Sequence, residues 1–220
     1  MNTKPDAVGD ENLRFFGKVS ASISHEIKNV MAIINEKAGL LKDLTLMAQK
    51  GMALDIHRIQ LIADDLQAQI KRGDSIIKNM NKFAHSVDED IAEANVSEVS
   101  GLIATLSERL ASRLGVRLTV VPLEPGPVIR TRPFLLEQLI WQALQMVMEK
   151  CKDEKTVTVE IAKSDPGAQI KFLIYKAGGA SFPVDSVSWL LKILHADLEV
   201  LAGGSGLVVH LPLDITVDAV

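Results

Sequence analysis

The pentapeptide His25-Glu26-Ile27-Lys28-Asn29 brings an imidazole, a carboxylate and an amide within little more than one helical turn. An imidazole is the side chain most often used for proton transfer near neutral pH, and its unprotonated nitrogen is also a nucleophile. Asn29 stands four residues after His25, so both side chains share one face of a helix. A zinc protease site is excluded, because it needs a second histidine where Asn29 stands.

The residues around the pentapeptide predict which way its histidine points. Apolar side chains recur at helical steps of three, four and seven residues, at Ile23, Ile27, Val30, Ile34, Leu41 and Leu44. His25 lies two residues from both Ile23 and Ile27, so it is turned about 200° away from this apolar stripe. The sequence therefore predicts an outward-facing imidazole on a rigid helix, where it is available to a partner.

Residues 20–30 resemble the phosphoacceptor helix of bacterial two-component sensor histidine kinases. They share its order of small residues, Ser-His-Glu, a basic residue, Asn and then apolar residues. The resemblance implies that His25 takes a phosphoryl group on a ring nitrogen and that Glu26 orients or deprotonates the imidazole. It also implies that Asn29 positions the water that hydrolyses a partner's aspartyl phosphate. The family most often has Pro where this chain has Val30, a change that removes a kink but no chemical group.

The same resemblance implies the partners. Receiver domains of response regulators are expected to dock on the exposed helix face that continues from His25 through Lys28, Asn29, Ala32 and Glu36. The receiver domain is expected to supply the Mg²⁺ ion, and we expect this chain to bind no metal or cofactor of its own.

Composition narrows the class of protein. The chain has 220 residues, a formal net charge of −4 and a single cysteine, Cys151. No Lys/Arg-rich block occurs, so a nucleic-acid partner is not expected. One cysteine excludes an intramolecular disulfide and favours a reducing compartment.

No apolar run reaches the roughly 18 residues that cross a bilayer, and the first residues lack an apolar signal region. We expect a cytoplasmic protein without a membrane partner, and without a sensor domain before the histidine.

The first part of the chain predicts a long helical hairpin. Residues 11–47 form one helical pattern, the run 49–51 breaks it, and residues 53–87 form a second. A lone hairpin cannot enclose its apolar stripe, whereas two copies can do so as a four-helix bundle. We therefore expect a homodimer with His25 outside the bundle. The alternative is a monomer whose hairpin packs on the second domain.

The second part predicts a mixed sheet covered by three helices. Residues 88–95 are acidic and are interpreted as a linker, which places the domains at 1–94 and 95–220. Ser97 is the expected N-cap of the next helix and Gly115 its stop. Helices are predicted at 97–114, 133–150 and 184–195, and strands at 116–121, 128–131, 156–162, 169–175, 198–201 and 207–211. The fold class is α+β, a hairpin followed by an α/β sandwich.

This order resembles the ATP-binding domain that follows the phosphoacceptor hairpin in histidine kinases, and the whole resemblance covers about residues 12–213. The nucleotide chemistry of that family is missing, however. Its two helix asparagines correspond to Gln142 and Met146, and a thioether is no ligand for Mg²⁺. The loop whose aspartate reads adenine falls at 174–180, which has no Asp. The glycine loop that cradles phosphate falls at 183–188, which has no Gly, and too few residues separate the two loops to form a lid.

A kept phosphoacceptor helix with a lost ATP site is similar to bacterial phosphorelay histidine phosphotransferases that look like degenerate histidine kinases. That resemblance implies a dimer whose histidine takes phosphate from one receiver aspartate and passes it to another without ATP. Three further functions stay open at this point. They are a phosphatase of the receiver that uses Glu26 and Asn29, a non-catalytic module that binds a regulator or a kinase, and a kinase with a divergent nucleotide site.

Overall fold

A computed structural model describes residues 5–151, 156–174 and 181–217. The chain divides into two compact units, Met1–Lys82 and Phe83–Val220, whereas the sequence placed the division after residue 94. Each unit is considered by itself below.

The first unit is a helical hairpin. It consists of α1 (Pro5–Gln49) and α2 (Ile56–His85), which reaches into the second unit with its last residues. The turn between them includes Gly51, whose φ of +84° is a left-handed conformation that glycine adopts without strain. The Asp55 carboxylate accepts a bond of 3.1 Å from the Arg58 backbone N–H and so caps the start of α2.

Two contacts show that the helices run antiparallel. The Lys37 ammonium lies 2.6 Å from the Asp65 carboxylate. Val30 packs against Gly73, and a Cβ atom added to Gly73 would lie 3.4 Å from Cγ1 of Val30. The residue numbers therefore fall on α2 as they rise on α1. Half of the predicted apolar stripe of α1 is buried, at Ile23, Val30 and Leu44, and the other three residues are half-buried.

A single copy of the hairpin leaves many apolar side chains in water. The exposed set on the two helices includes Leu13, Met31, Leu61, Ile70 and Ile77. Leu66 and Ile34 are only half-buried. Ile70 and Ile77, seven residues apart, share one face of α2, whereas Leu61 lies on the opposite face. Burying apolar surface is the main favourable term in association, so the face with Ile70 and Ile77 is suited to a second apolar surface.

The first strand of the second unit lies where the sequence predicted a linker, and that prediction is wrong for residues 92–95. These residues form β1 (Ala92–Asn95), which pairs antiparallel with β3 (Val128–Thr131). The N-cap was also misplaced. The Asn95 side chain, and not Ser97, accepts the backbone N–H groups of Ser97 and Glu98 at the start of α3 (Val96–Leu114). Gly115 ends α3 in the left-handed conformation, as predicted.

The remaining elements build one mixed sheet. Its five strands stand in the order β2-β4-β5-β7-β6, with β2 parallel to β4 and the other pairs antiparallel. They are β2 (Arg117–Val121), β4 (Thr156–Ser164), β5 (Gly167–Ile174), β6 (Asp197–Val200) and β7 (Gly206–Leu211). Alternate residues of β4 and β5 are buried, which marks one face of the sheet as the core side.

Helices supply the rest of this core. The helix α4 (Pro133–Lys150) has the predicted bounds and begins with proline, whose missing N–H costs nothing at a first helical position. The predicted helix at 184–195 is a 3₁₀ turn, Val184–Val187, followed by the short α5 (Ser188–Ile193). The predicted α+β class is confirmed: a helical part precedes a mixed sheet packed with helices. Pairing of two hairpins into a four-helix bundle stays a prediction.

Candidate functional site

His25 lies near the middle of α1 with its side chain exposed, as the spacing predicted. Its orientation follows from the core residues on either side. Ile23 and Val30 are 2% and 3% exposed, so the face of the helix that carries them points into the core. His25 lies on the other face. The backbone at His25 is continuous α-helix, so the imidazole is presented from a rigid support.

The other residues of the pentapeptide divide between two environments. Lys28 and Asn29 are exposed, while Glu26 is half-buried and already takes part in an interaction. One helical turn separates His25 from Asn29, so imidazole and amide can both reach the same docked group. The structure thus brings His25 and Asn29 to one accessible face, with the Glu26 carboxylate at its margin. Their chemical roles stay predictions.

The proposed docking face extends along α1 towards the hairpin turn. Ala32 and Glu36 are exposed, and they follow His25 at seven and eleven residues, close to two and three helical turns. Sequence reasoning missed the ion pair that borders this face. Lys37, next to Glu36, reaches across to Asp65 on α2, and the Asp65 carboxylate raises the pKa of Lys37 by hydrogen bonding first and charge second.

The residues that the resemblance matches to a nucleotide site offer a different set of groups. On α4, Gln142 is half-buried and Met146 is buried in the core at 6% exposure. A buried thioether cannot present an oxygen to a magnesium ion. The segment that the resemblance matches to an adenine-reading loop, residues 174–180, lies outside the described residues after Ile174. Residues 184–188 form the 3₁₀ turn and the first residue of α5, and Pro183 precedes them.

A buried carboxyl group on α4 was not foreseen from the sequence. Glu137 is 3% exposed and lies 2.7 Å from the hydroxyl oxygen of Ser86. Burial raises the pKa of Glu137 to about 8, and the hydrogen bond from Ser86 offsets part of that rise. The available signal was one acidic residue inside the apolar run of this helix, but its partner stands 51 positions earlier in the chain.

Two further histidines have polar partners. His85 Nδ1 lies 2.7 Å from the Asp88 carboxylate, and His210 lies 3.2 Å from the Gln169 amide and 3.7 Å from the Glu199 carboxylate. Within residues 5–151, 156–174 and 181–217, no cluster of three or more His, Cys, Asp or Glu side chains could hold a metal ion. No helix in the described part of the chain has the length and apolarity needed to cross a membrane.

No protein-family model matches the chain, and no curated protein matches it either. Solved structures with a similar backbone exist. The histidine kinase ThkA in complex with the response regulator protein TrrA is 15% identical, with a TM-score of 0.47 over 94% of this chain and 64% of that one. The histidine kinase AdeS from Acinetobacter baumannii is 9% identical, with a TM-score of 0.45 over 86% of this chain and 98% of that one.

The ATP-binding domain of PrrB from Mycobacterium tuberculosis is 17% identical, with a TM-score of 0.46 over 56% of this chain and 98% of that one. Identities and TM-scores at this level assign no activity to the chain. The functional proposal therefore has to rest on the residues themselves.

Proposed function

We propose that this chain is a two-component phosphorelay protein, a histidine phosphotransferase that carries a phosphoryl group on His25 between receiver-domain aspartates without using ATP. The observation that carries the proposal is the exposed imidazole of His25 on a continuous helix, one turn from Asn29 and beside Glu26. Met146 is buried at a position where a kinase would need a magnesium ligand, which argues against ATP as the phosphoryl donor.

The transfer step is a displacement at phosphorus. The unprotonated ring nitrogen of His25 attacks the phosphorus atom of an aspartyl phosphate on the receiver, and the bond between phosphorus and the carboxylate oxygen breaks. The receiver regains its free carboxylate, and the phosphoryl group stays on His25 until a second receiver aspartate attacks it in the same way. Positioning and charge stabilisation dominate such reactions, and the Mg²⁺ ion of the receiver supplies part of the latter.

Receiver domains are the proposed partners, and α1 supplies the proposed docking face. Lys28, Ala32 and Glu36 combine a cation, a small residue and an anion along one exposed stretch of helix. Ala32 leaves room for a partner to approach the helix closely, while the two charged residues would set the register of docking. Lys37 and Asp65 hold α2 against α1 beside this face.

A homodimer is part of the proposal. Three exposed apolar residues, Met31 on α1 and Ile70 and Ile77 on α2, form a seam that a second hairpin would cover. We also propose a cytoplasmic location, in keeping with the single cysteine.

A second activity is favoured by one specific observation. The Asn29 amide is exposed on the same helix face as His25, one turn away, where it could orient a water molecule towards a receiver phosphate. Phosphatase activity towards the receiver is therefore the second candidate. A regulator-binding module without catalysis and a kinase with a divergent nucleotide site are less well matched to these exposed groups and to the buried Met146.

Four outcomes of one labelling experiment separate these functions. The purified protein is mixed with radiolabelled ATP, or with a receiver domain that carries labelled phosphate. Label that moves from the receiver to this chain indicates a phosphotransferase. Loss of label from the receiver without labelling of this chain indicates a phosphatase, and binding alone indicates a docking module. Labelling by ATP alone would contradict the proposal and indicate a kinase.

We predict that the protein does not bind Mg-ATP at micromolar concentrations. The physical reason is that Met146 and Gln142 offer no paired amide oxygens to the metal, and that residues 183–188 contain no glycine to let backbone N–H groups approach phosphate. Isothermal titration calorimetry measures this directly. Micromolar affinity would contradict the prediction and show that a nucleotide site exists. In that case Met146→Leu, which alters no polar group, should leave the affinity unchanged.

We predict different effects for the two polar neighbours of His25. Asn29→Ala should leave phosphate carriage largely intact but slow hydrolysis of receiver phosphate, because an amide can orient water without bonding to phosphorus. Glu26→Ala should weaken carriage by about 100-fold, the lower end of the range for a general acid–base contribution. Rates of transfer and hydrolysis from one labelled receiver check both. Equal loss of carriage in both variants would contradict this division of roles.

A further inference from the structure

Ser86 has one hydroxyl proton and two acceptors that compete for it. Its oxygen lies 2.8 Å from the backbone carbonyl of Phe83 and 2.7 Å from the Glu137 carboxyl group. A hydroxyl group donates one hydrogen bond and accepts others, so it cannot donate to both partners at once. The protonation state of Glu137 decides which partner receives the proton.

With Glu137 protonated, every group in this chain of bonds is satisfied. The carboxyl O–H donates to the Ser86 oxygen, and the Ser86 O–H donates to the Phe83 carbonyl. With Glu137 ionised, the Ser86 proton is drawn to the carboxylate, because hydrogen bonds to a charged acceptor are stronger. The Phe83 carbonyl then loses its side-chain partner, and a negative charge sits in a site that is 3% exposed.

These bonds lie at the last turn of α2, where the chain enters the second unit. The final carbonyls of a helix have no intrahelical partner and depend on such caps. Two backbone bonds extend this turn beyond the helix: Ser86 N–H donates to Phe83 at 3.3 Å, and Asp88 N–H donates to His85 at 3.1 Å. Loss of the Ser86 side-chain bond therefore weakens an ordered exit from α2.

The charged groups on the adjoining segments pair with one another. His85 pairs with Asp88 at 2.7 Å, and Arg132, the N-cap residue of α4 five positions before Glu137, pairs with Asp90 at 2.6 Å. Burial and the Ser86 hydroxyl are the causes that set the pKa of Glu137, at about 8. A cation close enough to hold the ionised carboxylate in place is not among them.

We propose that Glu137 and Ser86 form a proton-dependent clamp on the end of α2, closed when Glu137 carries a proton and opened when it ionises. This device goes beyond phosphate transfer and does not depend on it. It would loosen the segment that leads out of the phosphoacceptor helical hairpin in response to alkaline pH.

The direction of the effect follows from linkage. The pKa of Glu137 is raised in the folded protein, from an ordinary value of 4.5 to about 8. The closed clamp is therefore fully stabilised below pH 4.5, and that stabilisation is lost as pH rises through 8. The equilibrium constant for local opening should rise by about tenfold per pH unit between roughly pH 5 and 8, then level off.

Amide hydrogen exchange at Ser86 and Asp88 in the full-length protein tests the clamp. After correction for the intrinsic pH dependence of exchange, wild-type protection should fall on the order of a hundredfold between pH 6 and 8. Glu137→Gln keeps a neutral donor to Ser86 at every pH, so its protection should not change over this range. His85→Gln removes the neighbouring titratable pair and should keep the wild-type pH dependence.

A second measurement covers the case in which the glutamine variant does not fold. The ¹³C resonance of the Glu137 carboxyl group in the wild-type protein should titrate near pH 8, together with the loss of amide protection. Protection that is independent of pH in the wild type would overturn the clamp. The wild-type pH dependence in Glu137→Gln, or its loss in His85→Gln, would also overturn the clamp. A Glu137 carboxyl group that titrates near pH 4.5 would do the same.

Discussion

His25→Ala should abolish phosphate carriage by this chain while leaving its fold intact. When a labelled receiver domain is mixed with the variant, no label should appear on the variant above background. The imidazole is the group that forms the bond to phosphorus in the proposed reaction, and alanine has no nucleophile to replace it. The exposed side chain supports no core packing, so the free energy of unfolding should change by no more than about 0.5 kcal/mol.

The matched control for this experiment is His57→Ala. His57 is an exposed histidine near the start of α2, and its replacement should leave labelling at the wild-type rate. The chemical stability of the label adds a second check, because phosphohistidine is lost in acid and kept in alkali, whereas an aspartyl phosphate is labile in alkali. If His25→Ala still accepted label, the carrier would be another residue and the interpretation of the pentapeptide would be wrong.

The elements that the sequence predicted well are those whose signal is local and long. The helix α4 was predicted at its observed bounds because Pro133 marks its start and an apolar run fills its length. The outward direction of His25 followed from the apolar positions on both sides of it, over several helical turns. Such periodic patterns repeat often enough to outweigh a single misleading residue.

The elements that the sequence missed depend on partners far away in the chain. The strand β1 has the composition Ala-Glu-Ala-Asn, which is poor in strand-forming residues and was interpreted as part of a linker. It is a strand because β3, more than thirty residues later, pairs with it in register, Ala92 opposite Thr131. Asn95 then becomes the N-cap of α3 because the strand ends at that residue.

The same limit applies to the site. Sequence spacing could bring His25, Glu26 and Asn29 together, because all three lie within little more than one turn of one helix. It could not show that Lys37 reaches Asp65 on the opposite helix, or that Glu137 meets Ser86. Each of these pairs joins two segments that only the packed structure brings within hydrogen-bonding distance.

The largest effect on assembly is expected from Ile70→Asp. The wild-type protein should sediment as a dimer at micromolar concentration, and this variant as a monomer. In a single copy Ile70 is exposed, so a carboxylate there costs the isolated hairpin little. In a four-helix bundle the two-fold symmetry would bury two carboxylates, at a cost of several kcal/mol, which raises the dissociation constant by about a thousandfold or more.

Ala68→Asp is the matched control, because it adds the same charge to the same helix. Ala68 is exposed and lies two residues from Ile70, about 200° around α2, so it should face away from the seam. This variant should remain a dimer. Ile34→Asp and Leu66→Asp, at half-buried positions, should weaken the dimer and also lower the stability of each hairpin.

Analytical ultracentrifugation and circular dichroism together decide whether the exposed apolar seam is an interface between copies. A monomeric Ile70→Asp protein that keeps wild-type helicity, beside a dimeric Ala68→Asp protein, would place Ile70 in a dimer interface formed by folded hairpins. A wild-type protein that sediments as a stable monomer at micromolar concentration would rule out the bundle. Equal effects of the two substitutions would show that added charge, and not burial in a seam, controls assembly.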